Sequence, residues 1–186
     1  MAQFSKLFAP GEIGKLQLKN RVILPPMITR LYTADALVSE QMINYYAERA
    51  RAGCGLVVVE SGRPRFEESK EKRLFLDNDE VICGLRRLVR AIQLRGAKAG
   101  MEVNPHRSRK AVDPASASEF VDPLTGIKVR ALTVAELDTM KDIFVEAVRR
   151  TKQAGFDCVV IHGGHGYLLA EFLSPRTNRD GVTGPC

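Results

Sequence analysis

Ala154-Gly155-Phe156-Asp157-Cys158-Val159-Val160-Ile161-His162-Gly163-Gly164-His165-Gly166-Tyr167 holds three signals in one stretch. Gly155 is a helix stop. Cys158 to Ile161 is a continuous, β-branched-rich apolar run, as expected for a parallel strand buried on both faces. The glycine-rich turn that follows places two imidazoles and a phenol directly after the strand, at its C-terminal end. In (β/α) barrels that end carries the catalytic groups.

Working outward, the same strand signal recurs at Val22-Ile23-Leu24 and Leu56-Val57-Val58-Val59. It recurs more weakly at Ala99-Gly100-Met101-Glu102-Val103, where Gly100 and Glu102 interrupt it. Helical patterns separate the runs. Ser39 is placed to cap a helix that reaches about Ala52 and stops at Gly53. A second helix starts near Asp77-Asn78-Asp79-Glu80, carries the stripe Val81, Ile82, Leu85, Leu88, Val89 and Ile92, and stops at Gly96. Thr133-Val134-Ala135-Glu136 is a capping box for a third, with Leu137, Met140, Phe144, Ala147 and Val148 inside. Ile13 to Asn20 reads as a hairpin suited to plugging the bottom of a barrel, and 63–76 and 110–132 read as long loops on its catalytic face.

Alternating strands and helices indicate a parallel α/β fold. A complete eight-unit barrel takes about 250 residues, whereas this chain of 186 supplies four strands. A doubly wound flavodoxin-like sheet fits the length better. Its first turn, though, would be Pro25-Pro26-Met27-Ile28-Thr29, which is no glycine-rich phosphate loop. The expected fold is therefore a (β/α)8 TIM-barrel type truncated to about the first four β/α units, with residues 1–186 forming one incomplete domain.

Composition bounds the rest. No run of about 18 apolar residues is present, so no membrane partner is expected, and the N-terminus lacks a secretory h-region. Cys54, Cys83, Cys158 and Cys186 have neither CxxC nor metal-ligand spacing. That usage suits reduced thiols in a cytoplasmic protein, with Cys54 and Cys158 as buried small hydrophobes. The net charge of +6 falls on residues such as Arg86, Arg87, Arg90, Arg149, Arg150 and Lys152, which read as solvated helix faces. No nucleic-acid motif accompanies it, so no nucleic-acid partner is expected.

His162 and His165 can together donate hydrogen bonds to one carbonyl oxygen, polarising a conjugated C=C–C=O group toward hydride addition. Tyr167 can give a proton to the other carbon. The competing reading of His-x-x-His, a metal site with Glu171 or Asp157, has no third ligand at convincing spacing, so no metal is expected.

The combined blocks resemble the Old Yellow Enzyme family of FMN-dependent ene-reductases, nearest its bacterial NADH:flavin oxidoreductase and 2,4-dienoyl-CoA or 2-enoate reductase branch. The match runs through Leu7-Phe8-Ala9-Pro10, Leu18-Lys19-Asn20-Arg21-Val22, Pro25-Pro26-Met27, Tyr45-Tyr46-Ala47-Glu48-Arg49-Ala50 and Gly55 to Glu60. It ends with the histidine turn, Phe172-Leu173-Ser174-Pro175 and Asn178. The resemblance implies FMN as cofactor, NAD(P)H as reductant, and an enone, enoate or enoyl-thioester as substrate. It implies that Pro26, Met27 and Ile28 line the flavin after the first strand and that Ser61 offers its backbone after the second. Glu102 takes the position after the third, and His162, beside the flavin, and His165 grip the carbonyl with Tyr167 alongside.

Three departures accompany the match. Ile28 replaces a polar group that tunes the flavin. Glu102 replaces a glutamine, and an ionised glutamate only accepts hydrogen bonds. His106-Arg107-Ser108-Arg109 is displaced by an insertion at Pro105. The resemblance also implies that the later strands and phosphate-binding turns are missing. The expected alternatives to a working enzyme are then a truncated remnant that binds no flavin, or a homo-oligomer or second chain that completes the barrel.

Overall fold

The computed structural model describes residues 4–66, 73–105 and 113–179. Residues 106–109, Cys186 and the chain after Arg179 therefore lie outside the described residues. The elements, in chain order, are α1 (Ser5–Phe8), β1 (Gly11–Ile13), β2 (Leu16–Leu18), β3 (Ile23–Leu24), α2 (Glu40–Arg51), β4 (Leu56–Gly62) and α3 (Val81–Gln93). They continue with β5 (Lys98–Val103), β6 (Ala115–Ser116), β7 (Phe120–Val121), β8 (Lys128–Ala131), α4 (Val134–Ala154), β9 (Cys158–Ile161) and α5 (Leu168–Leu173).

The main sheet runs β3-β4-β5-β9, all parallel and in chain order. A doubly wound sheet reverses direction beside its first strand; this one does not, so it is the opening arc of a barrel. Alternate residues divide its two faces. Val57, Val59, Ala99, Met101 and Val103 pack against the helices with Tyr46, Leu85, Leu88 and Ile92. Leu56 and Val58 turn the other way, onto Cys158, Val160 and the hairpin residues Leu16 and Leu18. The β1–β2 hairpin is thus the expected plug beneath the inner face.

Local signals explain the helices. Ser39 Oγ accepts the Met42 N–H at the start of α2. Thr133 and Glu136 form the reciprocal capping box of α4, and Gly155 closes that helix at φ 97. The basic helix faces are paired with acids: Arg149 and Arg150 both donate to Asp79, and Arg87 donates to Glu40.

Several expectations are corrected. β5 is a continuous strand, and Gly100 is part of its fit: a Cβ there would meet Cys158 Sγ at 3.0 Å and Val58 at 3.4 Å. The segment 113–132 is no plain loop but carries the small sheet β6-β8-β7. Its strands of two to four residues are too short for any alternation to register in sequence. Ser116 Oγ ties this sheet to α5 by donating to Glu171 at 2.8 Å. Cys54 and Cys158 are partly rather than fully buried.

Glu136 is held well below the usual carboxylate range, at about 2, first by Arg130 and then by the Thr133 N–H. A depressed acid stabilises the fold above its unfolded value, and that contribution is lost as pH falls. We expect Thr133→Ala to cost about 1 kcal/mol in urea unfolding at neutral pH. Part of the stability of the unmodified chain should also disappear between about pH 4.5 and 2, a component that Glu136→Gln abolishes.

Candidate active site

β9 delivers the histidine turn to the rim of the sheet. The His162 N–H donates to Val103 O at 3.1 Å, stitching the start of the turn to the end of β5. His165 then takes φ 58 and Gly166 φ 69. The left-handed region is uncommon for a side chain with a Cβ, and a histidine held there is constrained by its surroundings. Gly163 and Gly164 have ordinary φ, and a Cβ at either would meet no atom of the described residues within 4 Å. Their contribution is therefore room above the turn among the described residues, not a special backbone angle. Tyr167 caps α5, with its N–H donated to Gly164 O at 3.2 Å.

Three rings gather in this turn. The His162 and His165 centroids are 5.0 Å apart, with the ring planes inclined by 29°. Tyr167 lies 5.3 Å from His162 and 6.3 Å from His165. Beneath them is Glu102, an inward-facing residue of β5 that is 8% exposed. Its Oε2 is 3.0 Å from His162 Nδ1, and His162 Nε2 is 3.1 Å from His165 Nδ1. A carboxylate and two imidazoles thus form one hydrogen-bonded line from the inner face of the sheet to an exposed ring.

On the opposite arc, Glu60 is 1% exposed at the end of β4. It accepts both the N–H and the hydroxyl of Thr29. The Glu60 N–H donates to Tyr46 Oη at 2.8 Å, and that hydroxyl reaches Met27 O at 3.4 Å. Burial first, then the Glu60 charge, pushes the Tyr46 phenol well above its ordinary value. This cluster fixes the segment after β3, on which Met27 and Ile28 stand exposed and Pro26 is half-buried.

The anticipated residues divide accordingly. His162, His165, Tyr167 and Glu102 come together. Pro26, Met27 and Ile28 sit apart on the β3 side of the rim, and Ser61 lies between, on β4. Two placements are corrected: Ser61 and Glu102 belong to their strands rather than following them, since β4 and β5 each run at least one residue further. Ser61 Oγ and, beside it on the rim, Asn104 Oδ1 are buried without a hydrogen-bond partner among the described residues. Neither acid of the metal alternative joins the histidines. Asp157, at the other end of β9, accepts the Ala99 N–H and bonds Lys98, while Glu171 accepts from Ser116. Sequence reading missed Glu60 and Tyr46 as a pair. The available signal was a carboxylate closing the apolar run Leu56–Val59, which a buried strand end must satisfy.

Residues 6–181 match the model of a family described as NADH:flavin oxidoreductase / NADH oxidase. An NADH oxidase of Thermoanaerobacter brockii is 37% identical over 96% of this chain and 29% of its own length. An NADPH dehydrogenase of Listeria monocytogenes is 37% identical over 97% of this chain and 55% of its own. An Old Yellow Enzyme homologue from Zymomonas mobilis superposes with a TM-score of 0.82 at 26% identity, covering 96% of this chain and 55% of that structure. The chain thus spans about half or less of the length of these proteins. Its sheet is the first part of their (β/α)8 barrel.

Tyr46→Phe should lower stability by about 1–3 kcal/mol in urea unfolding, because the buried Glu60 N–H loses its acceptor. A raised phenol stabilises the fold below its unfolded value and loses that contribution as pH rises. The unmodified chain should therefore weaken above about pH 10 by an amount that the phenylalanine variant lacks.

Proposed function

We propose, for a chain that belongs to the NADH:flavin oxidoreductase / NADH oxidase family, that it forms the carbonyl-gripping part of an FMN-dependent NAD(P)H oxidoreductase. The reaction is of the ene-reductase type, with hydride added to an activated C=C. One observation carries this reading: His162, His165 and Tyr167 cluster within 5.0–6.3 Å at the C-terminal end of a parallel strand.

The rim residues fit a flavin. Met27 and Ile28 present an apolar surface, and Ser61 Oγ and Asn104 Oδ1 are buried without a partner among the described residues, a combination that suits a flat ring with a polar edge. Pro26, Met27, Ile28 and Ser61 would hold it, with His162 and Glu102 on the far side. FMN, recharged by NAD(P)H, supplies hydride chemistry when bound. The chain's own residues do the remainder. His162 and His165 orient the substrate carbonyl and draw electron density toward its oxygen. Tyr167 holds a proton on Oη for the carbon that does not receive hydride. The substrate class is an enone, an enoate or an enoyl-thioester, and the setting is the cytoplasm.

Ile23 and Ile161, on the two outer strands β3 and β9, stand 43% and 57% exposed. This supports residues 1–186 as the first half of a barrel whose remaining strands come from further residues of the polypeptide, a second copy or a complementing chain. Unpaired strand edges favour such pairing.

The visible spectrum of the purified chain tests the assignment. Flavin absorbance at close to a one-to-one ratio, or uptake of added FMN, is expected. A colourless protein that takes up none overturns binding by this chain alone. With flavin bound, replacing both His162 and His165 by alanine should weaken an enone or phenol ligand about ten- to a hundredfold; unchanged affinity rejects the grip.

A further inference from the structure

The line from Glu102 through His162 to His165 restricts where protons can sit. A carboxylate only accepts, so the 3.0 Å contact places the His162 proton on Nδ1. A neutral His162 then has a bare Nε2. At 3.1 Å from it, His165 Nδ1 must carry its own proton, since two facing lone pairs would repel. The remaining nitrogen, Nε2 of the exposed His165, is then bare as well. With both rings neutral, the pair presents an acceptor to the space above the turn. It offers no donor for a carbonyl oxygen.

We infer that Glu102 is a positioning residue that sets this tautomer chain, and that carbonyl binding at the pair takes up one proton. The inference rests on the carbonyl-gripping role proposed above and narrows it: His165 faces the ligand, and His162 acts through it. The proton comes from bulk water and lands on His165 Nε2, so that an N–H points at the ligand oxygen. Positive charge on the pair is offset by the Glu102 carboxylate along the same line. No covalent bond to the ligand forms or breaks. Of the ionisable groups around the pair among the described residues, Glu102 approaches from β5 and Tyr167 from the start of α5. Glu60, on β4, is occupied by Thr29.

This arrangement belongs to the glutamate. A glutamine at the same position can donate through its amide as readily as accept. It would leave either tautomer of His162 open, and with it the two-donor grip on a carbonyl.

Long-range ¹H–¹⁵N NMR of the ¹⁵N-labelled full chain reads each imidazole nitrogen as protonated or bare. In the unmodified chain near pH 7.5, His162 should show a protonated Nδ1 and a bare Nε2. Glu102→Ala should lose the Nδ1–H signal in favour of Nε2–H, and Glu102→Asp should restore it. A His162 protonated on Nε2 in the unmodified chain, or one indifferent to the alanine substitution, overturns the positioning role. The unmodified spectrum decides this even if a variant fails to fold.

The ligand arm uses 2-cyclohexen-1-one added to the FMN-loaded protein. A protonated His165 Nε2 should appear on binding, accompanied by uptake of close to one proton from a weakly buffered solution. Binding without proton uptake overturns the coupling. Absence of any enone binding instead rejects the carbonyl-gripping role, whereas the tautomer arm still decides what Glu102 does.

Discussion

A parallel strand buried on both faces is the constraint from which the rest of this molecule follows. Every residue of Leu56–Gly62 is buried, so its two faces must find different apolar partners. Val57 and Val59 meet the helices, while Leu56 and Val58 meet the hairpin and the neighbouring strands. Where the apolar run ends, the chain still lies inside, and Glu60 has to be satisfied there. Tyr46 from α2 and Thr29 from the segment after β3 do so. One strand end thereby fixes a helix and a rim segment that are distant in sequence.

The inner face changes character along its height. Leu16, Leu18, Leu56, Val58, Cys158 and Val160 fill the bottom. Glu60, Glu102 and His162 take over at the top, still largely shielded from water. Low solvent exposure makes hydrogen bonds to charged groups strong and unmet ones costly, so each of these groups is held in a directed contact. A surface histidine would choose its tautomer freely, but His162 cannot, because its Nδ1 faces a buried carboxylate. The same shielding that stabilises the arc prepares its chemistry.

Parts of this were plain from the residues. Cys158–Ile161 and Leu56–Val59 marked strands through their β-branched apolar runs, but only Leu56–Val59 is buried on both faces; Cys158–Ile161 is half-buried and ends exposed at Ile161. Ser39, Thr133, Glu136 and Gly155 marked helix ends through local hydrogen bonding alone. The histidine turn was recognisable because glycines and ring nitrogens stood together after a strand. By contrast, β6, β7 and β8 left no trace: two to four residues carry no periodic signal. Gly100 looked like a flaw in β5 until Cys158 and Val58 showed that no side chain fits there.

What the sequence determined by itself is local: the elements, their caps, and the presence of His162, His165 and Tyr167 within one short turn. These follow from backbone preferences and spacing over a few residues. Tertiary structure alone decided that Glu102 sits beneath His162, sixty positions away, and that Glu60 is shared by Tyr46 and Thr29. The physical reason is register. Parallel strands joined by helices bring distant residues side by side only after the sheet has paired, and the alternation along each strand then selects which side chains meet.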